Sequence, residues 1–197
     1  MNIAIVGATG NVGRKTLEVL EKKGLNLGNL HLVASSKSAG KKIHFQGKDI
    51  VVSELENFDF SKVKIAFFAA GGKISEKFAE KAAKHCLVID NSSFFRMDPD
   101  VPLIVPQVNS DALNNIKKKI IANPNCSTAQ LVIALKPLHD LFVIKRIIVS
   151  TYQSVSGAGK ASMDELIKQT KLALDGKDIK SENFTKPIAF NARPHIV

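Results

Sequence analysis

Residues 2–13 read NIAIVGATGNVG, and the reading of the fold turns on them. An apolar, partly β-branched run leads straight into a loop holding Gly7, Gly10 and Gly13. The loop opens into a stretch of helical periodicity from Asn11 to about Lys23, stopped by Gly24. A glycine pattern alone is weak, but one set between a strand and a helix has a mechanism. Without side chains the backbone turns sharply and approaches a pyrophosphate, whose charge then faces the N–H groups of the helix. An ordinary tight turn is the plainer reading of the same residues.

Working outward, LHLVAS completes a βαβ unit. Then come KIAFFAAGG, a helix with Ile74, Phe78 and Ala82 on one face, CLVIDNSS and KKIIANPNC. Strands that are apolar throughout and alternate with helices predict a mostly parallel sheet covered on both sides, an α/β, Rossmann-like domain. From Cys126 the pattern changes. A helix is expected from Ser127 toward His139, burying Leu131, Ala134, Leu135 and Leu138, with Pro137 near its end. KRIIVSTYQSVSG reads as a strand of mixed character, and KASMDELIKQTKLAL is amphipathic through Met163, Leu166, Ile167 and Leu174. The boundary falls near Asn125, giving a nucleotide-binding domain at 1–125 and the first part of an α+β domain at 126–197.

The chain has 197 residues, 45% of them hydrophobic, enough for a real core. No run approaches the roughly eighteen apolar residues of a membrane span, and Met1 leads into NIAIVG with no basic leader or cleavage site. The expected setting is the cytoplasm, with no membrane partner. The net charge of +10 comes from scattered lysines, densest at 117–119, with few aromatics among them. A nucleic-acid footprint normally gathers on one motif, so this charge suits an anionic small molecule better. Cys86 and Cys126 show no CxxC or Cys/His ligand spacing, so neither a disulfide framework nor a metal site is expected.

A dinucleotide fold that takes NAD usually ends its second strand in a carboxylate that holds the ribose 2′-hydroxyl. Here the strand ends VASSKSAG. Ser35, Ser36 and Ser38 offer hydroxyls and Lys37 offers charge, which suits a 2′-phosphate and makes NADP the expected cofactor. A plain polar loop is the alternative. Gly71 and Gly72, after another strand, would let backbone approach the same cofactor. The remaining positions of the first loop, Thr9, Asn11 and Val12, join Gly7, Gly10 and Gly13 as candidate cofactor contacts.

IIANPNCST, residues 120–128, sets Cys126 immediately before Ser127 and Thr128, both good capping residues. A helix N-terminus favours a thiolate, and the same N–H groups can hold an oxyanion formed when it attacks a carbonyl. Most free cysteines are small buried hydrophobes. Beside a dinucleotide loop and at a domain junction, the reactive reading is the better one.

GATGNVG, IDNSSFFRMDPDVPLIVPQVN, IIANPNCST, KPLHD and VSTYQSVSGAGKASMDEL together resemble aspartate-semialdehyde dehydrogenase, in order and over the whole chain. The resemblance implies NADPH-dependent reductive dephosphorylation of L-4-aspartyl phosphate to L-aspartate 4-semialdehyde, toward lysine, diaminopimelate, threonine and methionine. It implies a homodimer in the full-length family, with an acyl phosphate or aldehyde and phosphate as small-molecule partners. By position, Cys126 resembles the nucleophile that forms an acyl-thioester. Arg96 and Asn125 resemble phosphate-binding positions, Gln153 a substrate-binding residue, and Ser156 and Gly157 the loop near the nicotinamide.

One departure goes with these matches. The family's catalytic domain continues beyond IAFNARPHI, and that remainder carries a phosphate-binding Lys, a carboxylate-binding Arg, the acid/base His and a helix returning to the cofactor domain. The expectation is therefore at most trace turnover by these 197 residues alone. His31, His85, His44, His139 and His195 are each read as structural: the first two flank strands, His44 lies in a polar loop, His139 ends a helix, and His195 falls in a matched PHI segment. Two alternatives stay open, an enzyme like N-acetyl-glutamyl-phosphate reductase, which typically has a glycine before the cysteine, and a non-catalytic NADP-binding remnant.

Overall fold

The computed structural model describes residues 1–194; His195, read above as structural, lies outside them. The chain divides into two compact units, residues 1–149 and 150–197. In the first, strands β1 (Ile3–Val6), β2 (Leu30–Ala34), β3 (Lys42–Phe45), β4 (Lys48–Glu54), β5 (Ile65–Phe68), β6 (Leu87–Asp90) and β7 (Ile120–Ala122) form one seven-stranded sheet. Its order is β3-β4-β2-β1-β5-β6-β7, parallel except for β3, which runs antiparallel to β4. The α/β, Rossmann-like expectation holds.

Strands β1, β2, β5, β6 and β7 have no exposed residue, as their unbroken apolar runs demand, whereas β3 and β4 alternate exposed with covered positions. The period-2 alternation divides β1 between two cores. Ile3 and Ile5 pack with Leu32, Val52, and Leu17 and Leu20 of helix α1 (Asn11–Lys22). Ala4 and Val6 pack with Phe68, Val88, Ile120, and Phe78, Ala79 and Ala82 of helix α2 (Gly72–Ala83). Register decides the rest. Val6 pairs with Val33 and Phe68, Phe68 with Asp90, and Asp90 with Ala122. The chain therefore leaves β1, β2, β5, β6 and β7 at one edge of the sheet, and the order reverses direction at β1, where open α/β sheets bind ligands.

Some expectations need correcting. The β3–β4 hairpin is an addition to the expected elements, and His44 lies on β3, not in a loop, with Nδ1 3.0 Å from Asp49 Oδ1. After the short helix α3 (Pro106–Asn109), helix α4 runs from Cys126 to Phe142, starting one residue early and carrying Pro137 inside it. No residue of α4 is buried among the described residues: Leu131 and Leu135 are half-buried, Ala134 and Leu138 exposed. Periodicity reveals which side of a helix is apolar, not whether anything covers it. The KRIIVS stretch is irregular rather than a strand, since an extended segment without a pairing neighbour gains no ladder hydrogen bonds.

In the second unit, the expected apolar face of helix α5 (Lys160–Leu174) is only partly covered, with Met163 and Leu166 half-buried. Ile167 and Leu174 are exposed, whereas Ser162, Glu165 and Gln169 are buried. Backbone demand explains this. Glu165 accepts the N–H groups of Glu182 (2.8 Å) and Asn183 (2.7 Å), and Gln169 Oε1 accepts those of Ile188 (2.8 Å) and Ala189 (3.2 Å). A segment without regular structure has its donors met by two side chains one helical turn apart.

Burial pushes the Glu165 carboxyl up, but the Glu182 and Asn183 donors outweigh it and hold the carboxyl below its ordinary 4.5. A lowered folded value gives stability that is present above the unfolded value and lost as pH falls through the folded one. We expect the amides of Glu182 and Asn183 to be protected from exchange above pH 4.5 and to lose that protection on further acidification. In Glu165→Ala they should exchange about tenfold faster at neutral pH, as hydrogen exchange with mass spectrometry would show.

Candidate active site

The loop after β1 is anchored on β2: the N–H groups of Gly7 (2.8 Å) and Ala8 (3.2 Å) both donate to the Val33 carbonyl. Gly7 has φ +85°, and a Cβ there would lie 2.6 Å from the Ala69 carbonyl oxygen on the loop after β5. A Cβ on Gly13 would lie 2.2 Å from the Gly7 oxygen. Each glycine thus allows an approach that no other residue permits. Gly10 precedes α1 with no side-chain cap, and no acidic residue stands in the first turn. Gly71 (φ +87°) begins α2 in the same manner. A bare, acid-free helix N-terminus over a glycine cradle fits a dinucleotide pyrophosphate. Asn11 and Val12 are exposed at its start.

Beyond β2, Ser36–Ser38 form a 3₁₀ turn in which Ser35, Ser36 and Lys37 are exposed. Thr9 Oγ1 donates to Ser38 Oγ (3.3 Å), tying this turn to the glycine loop. The candidate cofactor residues of the first unit therefore gather at one sheet edge. Glu54, in register with Ala34, is the carboxylate on the neighbouring strand and accepts from Asn57 Nδ2 (2.9 Å).

At the same edge, Cys126 is exposed and is the first residue of α4. Ser127 and Thr128 are not the cap. Asn125 is: its Oδ1 accepts from Ser127 N (3.0 Å) and Ser127 Oγ (2.6 Å). Asn125 thereby satisfies a first-turn donor and orients the start of the helix; its Nδ2 edge is a donor, the polarity an anion requires. Arg96 reaches the same region from the loop after β6. Its Nε donates to the Asn123 carbonyl (3.0 Å) and its Nη2 to the Asn91 carbonyl (3.4 Å). Burial lowers the guanidinium from its ordinary value, while the nearby Asp90 and Cys126 groups oppose that shift. A partly desolvated guanidinium beside a thiol can bind a phosphate while the thiol attacks the carbon that bears it.

Residues 2–116 match the semialdehyde dehydrogenase NAD-binding domain, and residues 135–197 match the dimerisation domain of the same family. The chain belongs to the semialdehyde dehydrogenase family.

Among its relatives is the aspartate-semialdehyde dehydrogenase of Aquifex aeolicus, 52% identical over 98% of this chain and 58% of that protein. Aspartate semialdehyde dehydrogenase II of Vibrio cholerae, solved in complex with ASA, is 50% identical, with a TM-score of 0.94, over 99% of this chain and 59% of that one. The Candida albicans enzyme, solved with NADP, is 28% identical, with a TM-score of 0.61, over 73% of this chain and 48% of that one. The chain spans 58% to 62% of the length of the curated relatives it matches. Among its described residues no helix is long and apolar enough to cross a membrane.

For a semialdehyde dehydrogenase chain, the first unit brings together Cys126, Asn125 and Arg96. Gln153, Ser156 and Gly157 lie in the second unit, where Ser154 Oγ accepts from Ser156 N (3.3 Å) and all three candidates are exposed. The glycine with the demanding backbone there is Gly159 (φ +96°), which precedes α5. His31 is half-buried, 5.5 Å from the Phe58 ring, and burial, then Lys62, lower its pKa. His85 follows α2, and His139 is exposed near the end of α4. Sequence reasoning passes over Asp90, Ser75, Asn91, Ser92 and Asn123, which hold the loop of Arg96. The signal is the abrupt DNSS after an apolar strand.

Cys86 is buried, and burial pushes its thiol up to about 11, against a lesser opposing effect of Lys119. We expect Cys126 to be alkylated about a hundredfold or more faster than Cys86 at pH 8 in the folded protein, measured by timed labelling and peptide mapping. Faster labelling of Cys86 would count against the assignment of Cys126 as nucleophile.

Proposed function

We propose that the chain is the cofactor- and nucleophile-bearing part of an NADPH-dependent enzyme that converts L-4-aspartyl phosphate to L-aspartate 4-semialdehyde and phosphate. The product lies on the way to lysine, diaminopimelate, threonine and methionine. The observation that carries this reading is that Arg96 is bonded to the carbonyl of Asn123, three residues before Cys126 at the start of α4, on the sheet edge that also holds the glycine cradle. The full-length protein is proposed to act as a homodimer in the cytoplasm, a reading supported for the dimer by the dimerisation-domain match.

In this mechanism the Cys126 thiolate attacks the acyl carbon, and the oxyanion that develops is stabilised at the start of α4. The bond between that carbon and the phosphate oxygen then breaks. Arg96, with the Nδ2 edge of Asn125, holds the departing phosphate, leaving an acyl-thioester on Cys126. The glycine cradle and the Ser35–Ser38 turn would hold NADPH, which when bound would supply the hydride for reduction of this thioester to the aldehyde. Release of the aldehyde returns the Cys126 thiolate. Gln153 and the Ser156–Gly157 turn keep, within the same proposal, the substrate and nicotinamide roles that the resemblance gives them.

NADP rather than NAD is supported by the Ser35–Ser38 turn, which offers hydroxyls and Lys37 where NAD use calls for a carboxylate, and by Thr9, which holds Ser38 toward the glycine loop. Calorimetric titration should give a dissociation constant about tenfold or more lower for NADPH than for NADH, and Lys37→Glu should remove most of that difference. Equal affinities in the unaltered chain would sink the 2′-phosphate assignment.

The nucleophile is tested without requiring turnover. Mixing the chain with aspartyl phosphate should release up to one equivalent of phosphate and leave an acyl mass on Cys126. Cys126→Ser should slow that release by about a thousandfold or more, and Arg96→Ala should slow it with the thiol intact. Phosphate release at an unchanged rate in Cys126→Ser would overturn the thioester route.

A further inference from the structure

Asp90 ends β6 and is fully buried, with 0% of its surface exposed. A carboxylate so placed is costly unless donors surround it. Three do: Ser75 Oγ donates to Oδ1 at 2.6 Å, Ser92 N to Oδ1 at 3.1 Å, and Ser92 Oγ to Oδ2 at 2.7 Å. None of these bonds belongs to the sheet, the glycine cradle or the thiol.

What the arrangement accomplishes is visible one residue further on. Ser92 Oγ, held by Asp90, accepts from Phe94 N (3.2 Å), so the carboxylate shapes the chain from 90 to 94. Asn91, enclosed in that turn, accepts from Arg96 Nη2 at its carbonyl (3.4 Å) and from Asn123 Nδ2 at its Oδ1 (3.0 Å). The Asn123 carbonyl in turn accepts from Arg96 Nε (3.0 Å). Both tethers of the guanidinium therefore lead back to the segment that Asp90 organises. The Oδ1 that accepts from Ser92 N is also fixed to Ser75, in the first turn of α2, whose N–H donates to the carbonyl of Gly71 (3.2 Å). One buried carboxylate thus joins the helix that begins at the second pair of cofactor glycines to the anion-binding arginine.

We propose that Asp90 is a positioning residue: anchored on Ser75, it sets Asn91 and Asn123 and thereby aims the Arg96 guanidinium at the anion beside Cys126. The inference rests on the reading of Arg96 as the phosphate-binding group. A carboxylate serves better here than an amide, because it accepts on both oxygens and its charge offsets the burial of the guanidinium. The nearby Asp90 carboxylate favours the charged guanidinium, against the burial that disfavours it.

The test compares the alkylation rate of Cys126 by anionic iodoacetate with that by neutral iodoacetamide, in the full chain at one pH. The ratio cancels changes in thiol reactivity and reports the charge that faces an approaching anion. Arg96→Ala should lower it by about three- to tenfold. Asp90→Asn should lower it to a similar extent, because the guanidinium loses its aim; Ser75→Ala, which keeps every charge, should lower it about twofold. If Asp90 acted only as a negative charge near the thiol, its removal would raise the ratio, so a rise or no change in folded Asp90→Asn overturns the proposal. Should circular dichroism show that Asp90→Asn does not fold, Ser75→Ala decides, and an unchanged ratio there overturns it. No effect of Arg96→Ala would sink the phosphate reading of Arg96 and the positioning role with it. An effect of Arg96→Ala with none from Asp90→Asn sinks the positioning role alone.

Discussion

The approach of Gly7 to the Ala69 carbonyl is the contact on which the rest of the site depends. A side chain at Gly7 would meet that oxygen at 2.6 Å, and one at Gly13 would meet the Gly7 oxygen at 2.2 Å. With both absent, the loops after β1 and β5 close on one another, and α1 starts directly above them. The parallel register then carries the same edge outward to Asp90 and Ala122, so that the loops bearing Arg96 and Cys126 emerge beside the cradle. The sheet puts candidate cofactor loops and candidate chemistry on one rim, without a long connection having to find it.

Charge on that rim is handled by pairing rather than by exposure. Arg96 is partly desolvated, a cost that its two backbone acceptors and the neighbouring Asp90 carboxylate offset. Asp90 in turn has its oxygens met by Ser75 and Ser92. The ion pairs elsewhere in the chain differ in kind: Lys15–Glu18, Lys22–Glu18 and Lys160–Asp164 are exposed helix-surface pairs worth little to stability. The net charge of +10 is thus mostly a solvated surface, and the guanidinium nearest the candidate thiol is held from within.

The sheet is legible in the sequence because its strands are apolar on both sides and each is followed by glycine or polar residues; NIAIVG and KIAFFAAGG admit little else. The hairpin is not, because Lys42–Phe45 alternates buried with exposed residues over only four positions and Gln46-Gly47 is a weak turn signal beside Asn-Gly or Asp-Gly. Asn125, Cys126 and Arg96 stand out by pattern and resemblance, but the expected cap is misplaced: Ser127 has the right chemistry, yet the geometry gives the role to Asn125. The polar stripe of α5 escapes for a different reason. Nothing in Glu165 or Gln169 announces that distant backbone donors need acceptors, and hydrophobic periodicity is blind to that demand.

The helices that begin near this rim divide the work by how they begin. At α1 and α2 the capping position is glycine, which offers no side-chain cap, and no acidic residue stands in the first turn, so no negative charge of the helix itself offsets its positive end. At α4 the cap is Asn125, which takes the Ser127 N–H for itself and so gives up part of that helix's anion-binding capacity. What is gained is orientation. With Asn125 locked onto Ser127, Cys126 is held at the first helical position, exposed, with its Sγ 3.9 Å from the Asn125 Oδ1. Glycine-capped ends suit diffuse phosphate charge, which tolerates small displacements of the ligand. A nucleophile, the role proposed for Cys126, must meet one carbon along one direction, and for that a side-chain cap is the better device.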